Sequence, residues 1–253
     1  MNQITSLVLA STKKYIPSNI QRTDILFGDR PYAGVLYGAH TLISSDNVKK
    51  QKLTTEFDFG LIGPASLAGA TQTWVHEQIG SATPKGWGNQ VKNDVILNYL
   101  IRYEKLLIAP SSELEVIGLL EANIGTLTNN LTAGLQFRAG VFRSYFSNYE
   151  KPGAHESAST TAEFKKYQLF FFMKPAFTAF SDNSTLQGGF FTGKNSVYTI
   201  SPDDLTRFFL DFESGIVIGY QRLGIAISQR LRTAQYKDSP IQQYGNITLF
   251  VGL

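Results

Sequence analysis

Hydrophobic and polar side chains alternate along several long segments of this chain. From Lys52 to Ile62, one set of positions includes Phe57 and Phe59, while the intervening positions include Glu56. The same period of two recurs over residues 130–142 and 208–221. Because successive side chains of a β-strand point to opposite faces of its sheet, these segments predict strands with one apolar and one charged face.

Segments of this kind number about ten, and long connections separate most alternate pairs of them. The predicted strands lie near residues 5–13, 34–43, 52–61, 91–107, 113–123, 131–142, 166–180, 208–220, 223–233 and 243–252. The long connections are 14–33, 62–90, 181–207 and 234–242, and 143–165 is an exception to the alternation. Long outer loops and short inner turns are typical of membrane barrels. We therefore predict an all-β fold, a single antiparallel transmembrane β-barrel domain spanning residues 1–253.

A soluble ligand-binding barrel would show the same alternation with its apolar face turned inward. Strand length favours the membrane, since segment 91–107 exceeds the roughly nine to eleven residues that cross a bilayer. That segment also places Tyr99 and Tyr103 on its apolar side, as in the aromatic girdles of outer-membrane barrels. The low charged fraction of 17 % and the aromatic fraction of 13 % agree with a lipid-facing wall.

Composition also excludes several classes of function. The chain has no cysteine, which rules out thiolate catalysis and disulfides. Its net charge of +3 is small and scattered, so no nucleic-acid partner is expected. No run of eighteen apolar residues predicts a membrane-spanning helix.

The segment from Leu67 to Ile79 breaks the alternation and predicts a short helix within an outer loop. Gln72 and His76 are four residues apart there, so they share one face of that helix. A lone histidine is more often an ordinary hydrogen-bonded loop residue, but imidazole is also the usual general base at neutral pH. No His-Glu-x-x-His spacing is present, so a zinc site is not indicated.

Other charged residues have simpler interpretations. Asp29 and Arg30 precede Pro31 and could form a local ion pair in a turn, although Arg30 could also meet a phosphate group. The charged strand faces predict a hydrated or salt-bridged barrel interior. They include Glu56, Asp58, Asp94, Arg102, Glu104, Glu121, Arg138, Asp211, Glu213, Arg230 and Arg232.

Five motifs, taken in order along the chain, resemble the outer-membrane lipid A 3'-O-deacylase family. They are Tyr15-Ile16-Pro17-Ser18, Asp29-Arg30-Pro31-Tyr32-Ala33-Gly34 with Leu36-Tyr37-Gly38 after it, Gly63-Pro64-Ala65-Ser66, Gln72-Thr73-Trp74-Val75-His76 and Gly86-Trp87-Gly88-Asn89-Gln90. Each motif alone is weak, and the resemblance rests on their order and spacing over residues 15–90.

The resemblance implies a calcium-dependent ester hydrolase that removes the 3'-O-linked acyl chain of lipid A at the outer leaflet of the bacterial outer membrane. His76 matches the family's general base, and Gln72 matches its polar neighbour. Arg30, Tyr32 and Trp74 are the expected substrate-binding residues. The expected partners are lipopolysaccharide and outer-membrane lipids, and the protein is expected to be a monomer.

The chain departs from the family's twelve-stranded pattern at its beginning. It lacks the Asn-Asp first strand and the Tyr-Thr-Asn-Gly second strand on which the family's calcium site draws, so its calcium ligands are not identified. Two interpretations follow: the N-terminus was lost through truncation or a misplaced start, or the barrel closes with ten strands and has lost activity. In the first case we expect the full-length gene product to be a deacylase and this version to be inactive or severely weakened. A non-enzymatic outer-membrane barrel, either a pore or a structural relic, is the alternative function.

Overall fold

The structure, a computed structural model, describes residues 2–11, 21–25, 27–143, 145–146, 167–192, 195–221 and 223–251. For residues 2–11 and 250–251 it describes the backbone alone. The strands are β1 (Asn2–Ser11), β2 (Gly34–Asp46), β3 (Gln51–Ile62), β4 (Asp94–Ser111), β5 (Leu114–Gly125), β6 (Thr128–Val141), β7 (Tyr167–Asn183), β8 (Phe208–Tyr220), β9 (Leu223–Arg232) and β10 (Gln242–Val251). The helices are α1 (Ala68–Gln78) and the short α2 (Ser184–Gln187), with 3₁₀ turns at Pro64–Ser66, Gly86–Asn89 and Pro202–Asp204.

The strands form one ten-stranded sheet in which each strand pairs with its sequence neighbours. Every pairing from β1–β2 to β9–β10 is antiparallel. Among the residues that the structure describes, no ladder joins β10 back to β1. The predicted all-β antiparallel barrel fold with a short loop helix is confirmed. The described ladders do not show the ten-strand closure that was one of the two interpretations of the sequence.

The sheet is apolar on its outer face and polar on its inner face. On the outer face, Phe59 is 62 % exposed, Phe208 59 % and Leu131 60 %. On the inner face, Asp58 and Arg138 are buried, although each neighbours an exposed aromatic or aliphatic residue in sequence. Such an arrangement suits a wall surrounded by hydrocarbon and not by water. Within the described part of the chain, no helix has the length and hydropathy needed to cross a bilayer.

Ion pairs between neighbouring strands fill much of the interior. Arg138 donates from Nη1 to Glu115 Oε2 at 2.7 Å, and both side chains are at least nine-tenths buried. Asp211 pairs with two arginines, and its Oδ1 lies 3.0 Å from Nε of Arg230 and 2.9 Å from Nε of Arg232. The interior predicted to be salt-bridged is therefore a network in which charges of opposite sign compensate each other.

The beginning of the β6–β7 connection folds back into the interior at the inner end, the end opposite α1. Phe146 has no exposed surface, and the Tyr145 hydroxyl donates to Glu104 Oε1 of β4 at 2.5 Å. Lys52 of β3 lies with its Nζ 3.8 Å from the centre of the Tyr145 ring. These residues, the inner plug (residues 142, 143, 145 and 146), thus reach across the interior from β6 to β3 and β4.

Long connections cover the opposite end of the sheet, the outer end. Asp94, at the start of β4, accepts hydrogen bonds from the backbone N–H groups of Phe191 and Thr192 at 2.7 and 2.9 Å. This fastens the β7–β8 connection to the β3–β4 connection. A hydrophobic cluster then forms beneath these loops, and its members are Phe180, Leu186, Ile200, Leu205, Phe209 and Tyr236.

Candidate active site at the outer end

Local backbone geometry sets α1 directly on the outer end of β2. Gly63 has φ of 99°, and Pro64 opens a 3₁₀ turn that ends at Leu67 in the left-handed region, from which α1 begins. Ala65 donates its backbone N–H to Asn93 Oδ1 at 2.7 Å, which ties the two ends of the connection together. A β-carbon on Gly34 would collide with the helix, so glycine there permits the close approach.

The ring orientation of His76 is fixed by a backbone carbonyl. Gly80, with φ of 64°, reverses the chain after α1, and the Ser81 N–H then donates to the His76 carbonyl at 2.8 Å. The next residue, Ala82, brings its carbonyl oxygen 2.7 Å from His76 Nδ1. A carbonyl can only accept, so Nδ1 carries the proton and Nε2 of the neutral ring is the basic nitrogen. His76 is half-buried, and no described residue occupies Nε2 with a hydrogen bond.

Gln72, one turn before His76, is part of a packed aromatic cluster. The Trp87 indole donates from Nε1 to Gln72 Oε1 at 2.8 Å. Trp87 in turn packs against Tyr32, with ring centres 5.1 Å apart. Gly86 lets the Tyr32 ring approach, because a β-carbon at this position would overlap it. Burial raises the pKa of Tyr32, so this residue stays a neutral phenol.

Arg30 contacts residues of the β7–β8 and β9–β10 connections at the outer end. Its Nη1 donates to Gln235 Oε1 and its Nη2 to Thr185 Oγ1, both at 2.9 Å. Its Nε is buried and has no partner among the described residues. Burial lowers the pKa of Arg30 to about 10, which leaves the guanidinium charged at neutral pH. Among the described residues, no carboxylate lies within ion-pair distance of it.

The structure thus brings three of the five predicted site residues into one connected region: His76 and Gln72 on one helix face, and Tyr32 through Trp87. The side chain of Arg30, two residues before Tyr32, hydrogen-bonds instead to Gln235 and Thr185. Trp74, the fifth, is two residues from Gln72, on a different face of α1, and is 61 % exposed. Its predicted contact with substrate stays a prediction.

The local ion pair expected between Asp29 and Arg30 is not what forms. Asp29 Oδ1 accepts instead from the Arg30 backbone N–H at 2.7 Å, while the guanidinium reaches across to neutral oxygens. Sequence reasoning missed Gln235 and Thr185, for which the chain offers no signal. Trp87 could have been found, because it lies in one of the motifs that carry the family resemblance.

The described residues do not provide a ready metal site. They contain no group of three or more histidine, aspartate or glutamate side chains arranged to hold an ion. A calcium ion needs six to eight oxygen ligands, commonly several carboxylates. The residues described around His76 therefore do not fit calcium by themselves.

A lipid-facing antiparallel sheet with a polar interior and a histidine-bearing helix over its outer end defines a β-barrel protein of the bacterial outer membrane. Comparison with protein families agrees, since the model described as "Outer membrane protein LpxR" matches residues 6–253. The chain belongs to this family.

Among solved structures, LpxR from Salmonella typhimurium has the same fold. It is 17 % identical, the match covers 98 % of this chain and 83 % of that one, and the TM-score is 0.77. No curated protein sequence matches the chain.

Proposed function

We propose that this protein is an ester hydrolase that removes the 3'-O-linked acyl chain of lipid A at the outer leaflet, with His76 as the general base. The observation that carries the proposal is the hydrogen bond from His76 Nδ1 to the Ala82 carbonyl, which leaves Nε2 as the basic nitrogen. Membership of the LpxR family and the lipid-facing wall supply the substrate class.

The proposed reaction needs one proton acceptor and one water molecule. His76 Nε2 removes a proton from water as its oxygen attacks the ester carbonyl carbon. The tetrahedral intermediate then collapses, the bond between the carbonyl carbon and the sugar oxygen breaks, and His76 returns the proton to that oxygen. The products are a free fatty acid and the 3'-hydroxyl of the sugar.

Arg30 is proposed to bind a phosphate group of lipid A. Buried charge is costly unless an opposite charge compensates it. Among the described residues, the Arg30 guanidinium donates to neutral oxygens, so an anionic ligand would complete its environment. Tyr32 and the exposed Trp74 are proposed to contact the rest of the substrate.

Calcium is proposed on the family resemblance alone. No step above is assigned to it, because the described residues do not form its ligand shell. A chelator provides the test: addition of EDTA abolishes hydrolysis if calcium is required and leaves it unchanged if it is not.

The inner plug argues against the alternative of an open pore. Tyr145 and Phe146 occupy the interior, where an aqueous channel would pass. A non-enzymatic structural role is the competing function that the activity assay addresses.

The test is mass spectrometry of lipid A from cells that produce the full chain. We expect the loss of one 3'-acyl chain, and we expect His76→Asn to abolish this loss. His40, an exposed histidine of β2, provides the matched control, and His40→Gln should keep full activity. Unchanged acylation with the unmodified chain would refute the enzymatic proposal.

A further inference from the structure

Two neighbouring phenylalanines project from the β7–β8 connection at the outer end. Phe190 is 65 % exposed and Phe191 is 68 % exposed, and their rings pack edge to face with centres 5.0 Å apart. These exposed fractions are as large as those of Phe59 and Phe208 on the outer face of the sheet. Apolar surface that is contiguous and exposed marks a place of interaction, whereas single exposed apolar residues are ordinary. The pair therefore needs a partner other than water.

The backbone that carries the two rings is fixed to the start of β4. Oδ2 of the buried Asp94 accepts hydrogen bonds from the backbone N–H groups of Phe191 and Thr192. The Thr192 hydroxyl lies 3.2 Å from the same carboxylate oxygen and 2.9 Å from the Asn93 carbonyl oxygen. A β-carbon on Gly189 would come within 2.3 Å of Asp94 Oδ2, so this approach requires glycine. The turn thus holds the rings in their exposed position.

The same carboxylate joins these residues to the lipid-facing wall. Asp94 Oδ1 accepts a hydrogen bond from the backbone N–H of Val95 at 2.7 Å. Val95 is exposed on the outer face of β4, and Leu97 continues that face two residues further on. A single side chain therefore separates the Phe191 backbone from the backbone of the wall. The exposed phenylalanines extend an apolar surface that already faces hydrocarbon.

We infer that Phe190 and Phe191 insert into the acyl chains of the outer leaflet and anchor the outer loops to the membrane beside β4. Tyrosine and tryptophan stay at the headgroup level because each has one polar group that remains hydrated. Phenylalanine has no such group, so its ring is more stable among acyl chains. Continuity with the wall makes lipid hydrocarbon the partner of this surface. The anchor does not depend on hydrolysis and goes beyond the proposed function.

Quenching of tryptophan fluorescence by lipids with brominated acyl chains tests the insertion. The full chain is refolded into phosphatidylcholine vesicles, with its two native tryptophans, Trp74 and Trp87, both replaced by phenylalanine. Phe190→Trp then reports on the tip of the connection, and Leu97→Trp reports on the wall. Val48→Trp is the control for water, because Val48 is 92 % exposed in the turn between β2 and β3.

We expect brominated lipid to quench Phe190→Trp at least half as strongly as Leu97→Trp and to leave Val48→Trp unquenched. Iodide in the aqueous phase should quench the three variants in the opposite order. If iodide quenches Phe190→Trp while brominated lipid does not, the ring faces water and the inference is wrong. If neither quencher reaches it, a protein surface such as a second copy of the chain covers the ring, and the inference is equally wrong.

Replacing Asp94 with alanine tests how the rings are held. Without the carboxylate, the Phe191 and Thr192 N–H groups lose their acceptor, so the turn is no longer fixed to β4. We expect Phe190→Trp to lose most of its quenching by brominated lipid in this variant. Leu97→Trp with Asp94→Ala should keep its full quenching, which shows that the barrel still folds in the vesicles.

Discussion

Replacing Arg138 with methionine tests whether interior ion pairs hold the barrel wall together. The Arg138 side chain is 5 % exposed and its partner Glu115 is 9 % exposed. Without Arg138, the Glu115 carboxylate stays buried with its charge uncompensated, which costs about 3–5 kcal/mol. The guanidinium carbon also lies 4.2 Å from the centre of the Phe142 ring and 4.5 Å from that of Phe170, and losing these cation–π contacts costs about 1 kcal/mol more.

The assay is urea unfolding of protein refolded into phospholipid vesicles, followed by tryptophan fluorescence. We expect Arg138→Met to lower the free energy of unfolding by about 3–5 kcal/mol. The double variant with Glu115→Gln should recover most of this loss, because the uncompensated charge is gone. Arg102, paired with Glu121 but 38 % exposed, is the control, and Arg102→Met should cost about 1 kcal/mol or less. A loss below about 1 kcal/mol for Arg138→Met, or no recovery in the double variant, would refute the reasoning.

Three further predictions concern the site and the interior. Gly86→Ala forces the neighbouring tyrosine ring to move and should lower lipid A hydrolysis at least about tenfold, whereas Gly88→Ala, with open space around its added methyl, should not change the rate. In planar bilayers the wild type should show no channel events, and Tyr145→Ala combined with Phe146→Ala should produce them; conductance by the wild type would contradict the plug. Arg30→Gln should raise KM for diphosphorylated lipid A about tenfold. Because the pKa of Arg30 is lowered to about 10, its charge and the wild-type affinity should persist to about pH 9 and decline above pH 10. The folded state then binds fewer protons than the unfolded chain, so the contribution of Arg30 to stability rises with pH in that range. An affinity that already falls between pH 7 and 9 would contradict the assignment.

The wall of the barrel could be predicted because a local rule determines it. In β3, Phe57 and Phe59 alternate with Asp58, and the period of two fixes which residues share a face. The alternation does not show which face of the sheet is turned outward. Strand length and the placement of the aromatic residues indicated that the apolar face is the outer one. The exposed phenylalanines and the buried aspartate of the structure agree with that interpretation.

The candidate site was predictable only where its residues are close in sequence. Gln72 and His76 share a face because four residues make about one helical turn. The contact between Arg30 and Gln235 spans 205 residues and depends on how separate loops dock, which no local pattern encodes. The hydrogen-bond acceptor for His76 is a backbone carbonyl. Because every residue has one, the sequence does not indicate which carbonyl accepts this bond.

The sequence did not predict the inner plug, and the reason is related. Its aromatic residues follow β6 in a connection that breaks the regular alternation of long and short loops. Tyr145 finds its partner Glu104 41 residues earlier, on a strand that is not adjacent to its own.

The filled interior also limits the routes by which a lipid substrate can reach α1. Among the described residues, Tyr145 and Phe146 fill the interior at the inner end, and a hydrophobic cluster lies beneath the loops of the outer end. We expect an amphiphile to approach the helix by lateral diffusion within its own leaflet. Turnover should therefore follow the two-dimensional density of the lipid around the barrel, and dilution of that lipid with inert amphiphile should slow the protein even when the total amount is unchanged.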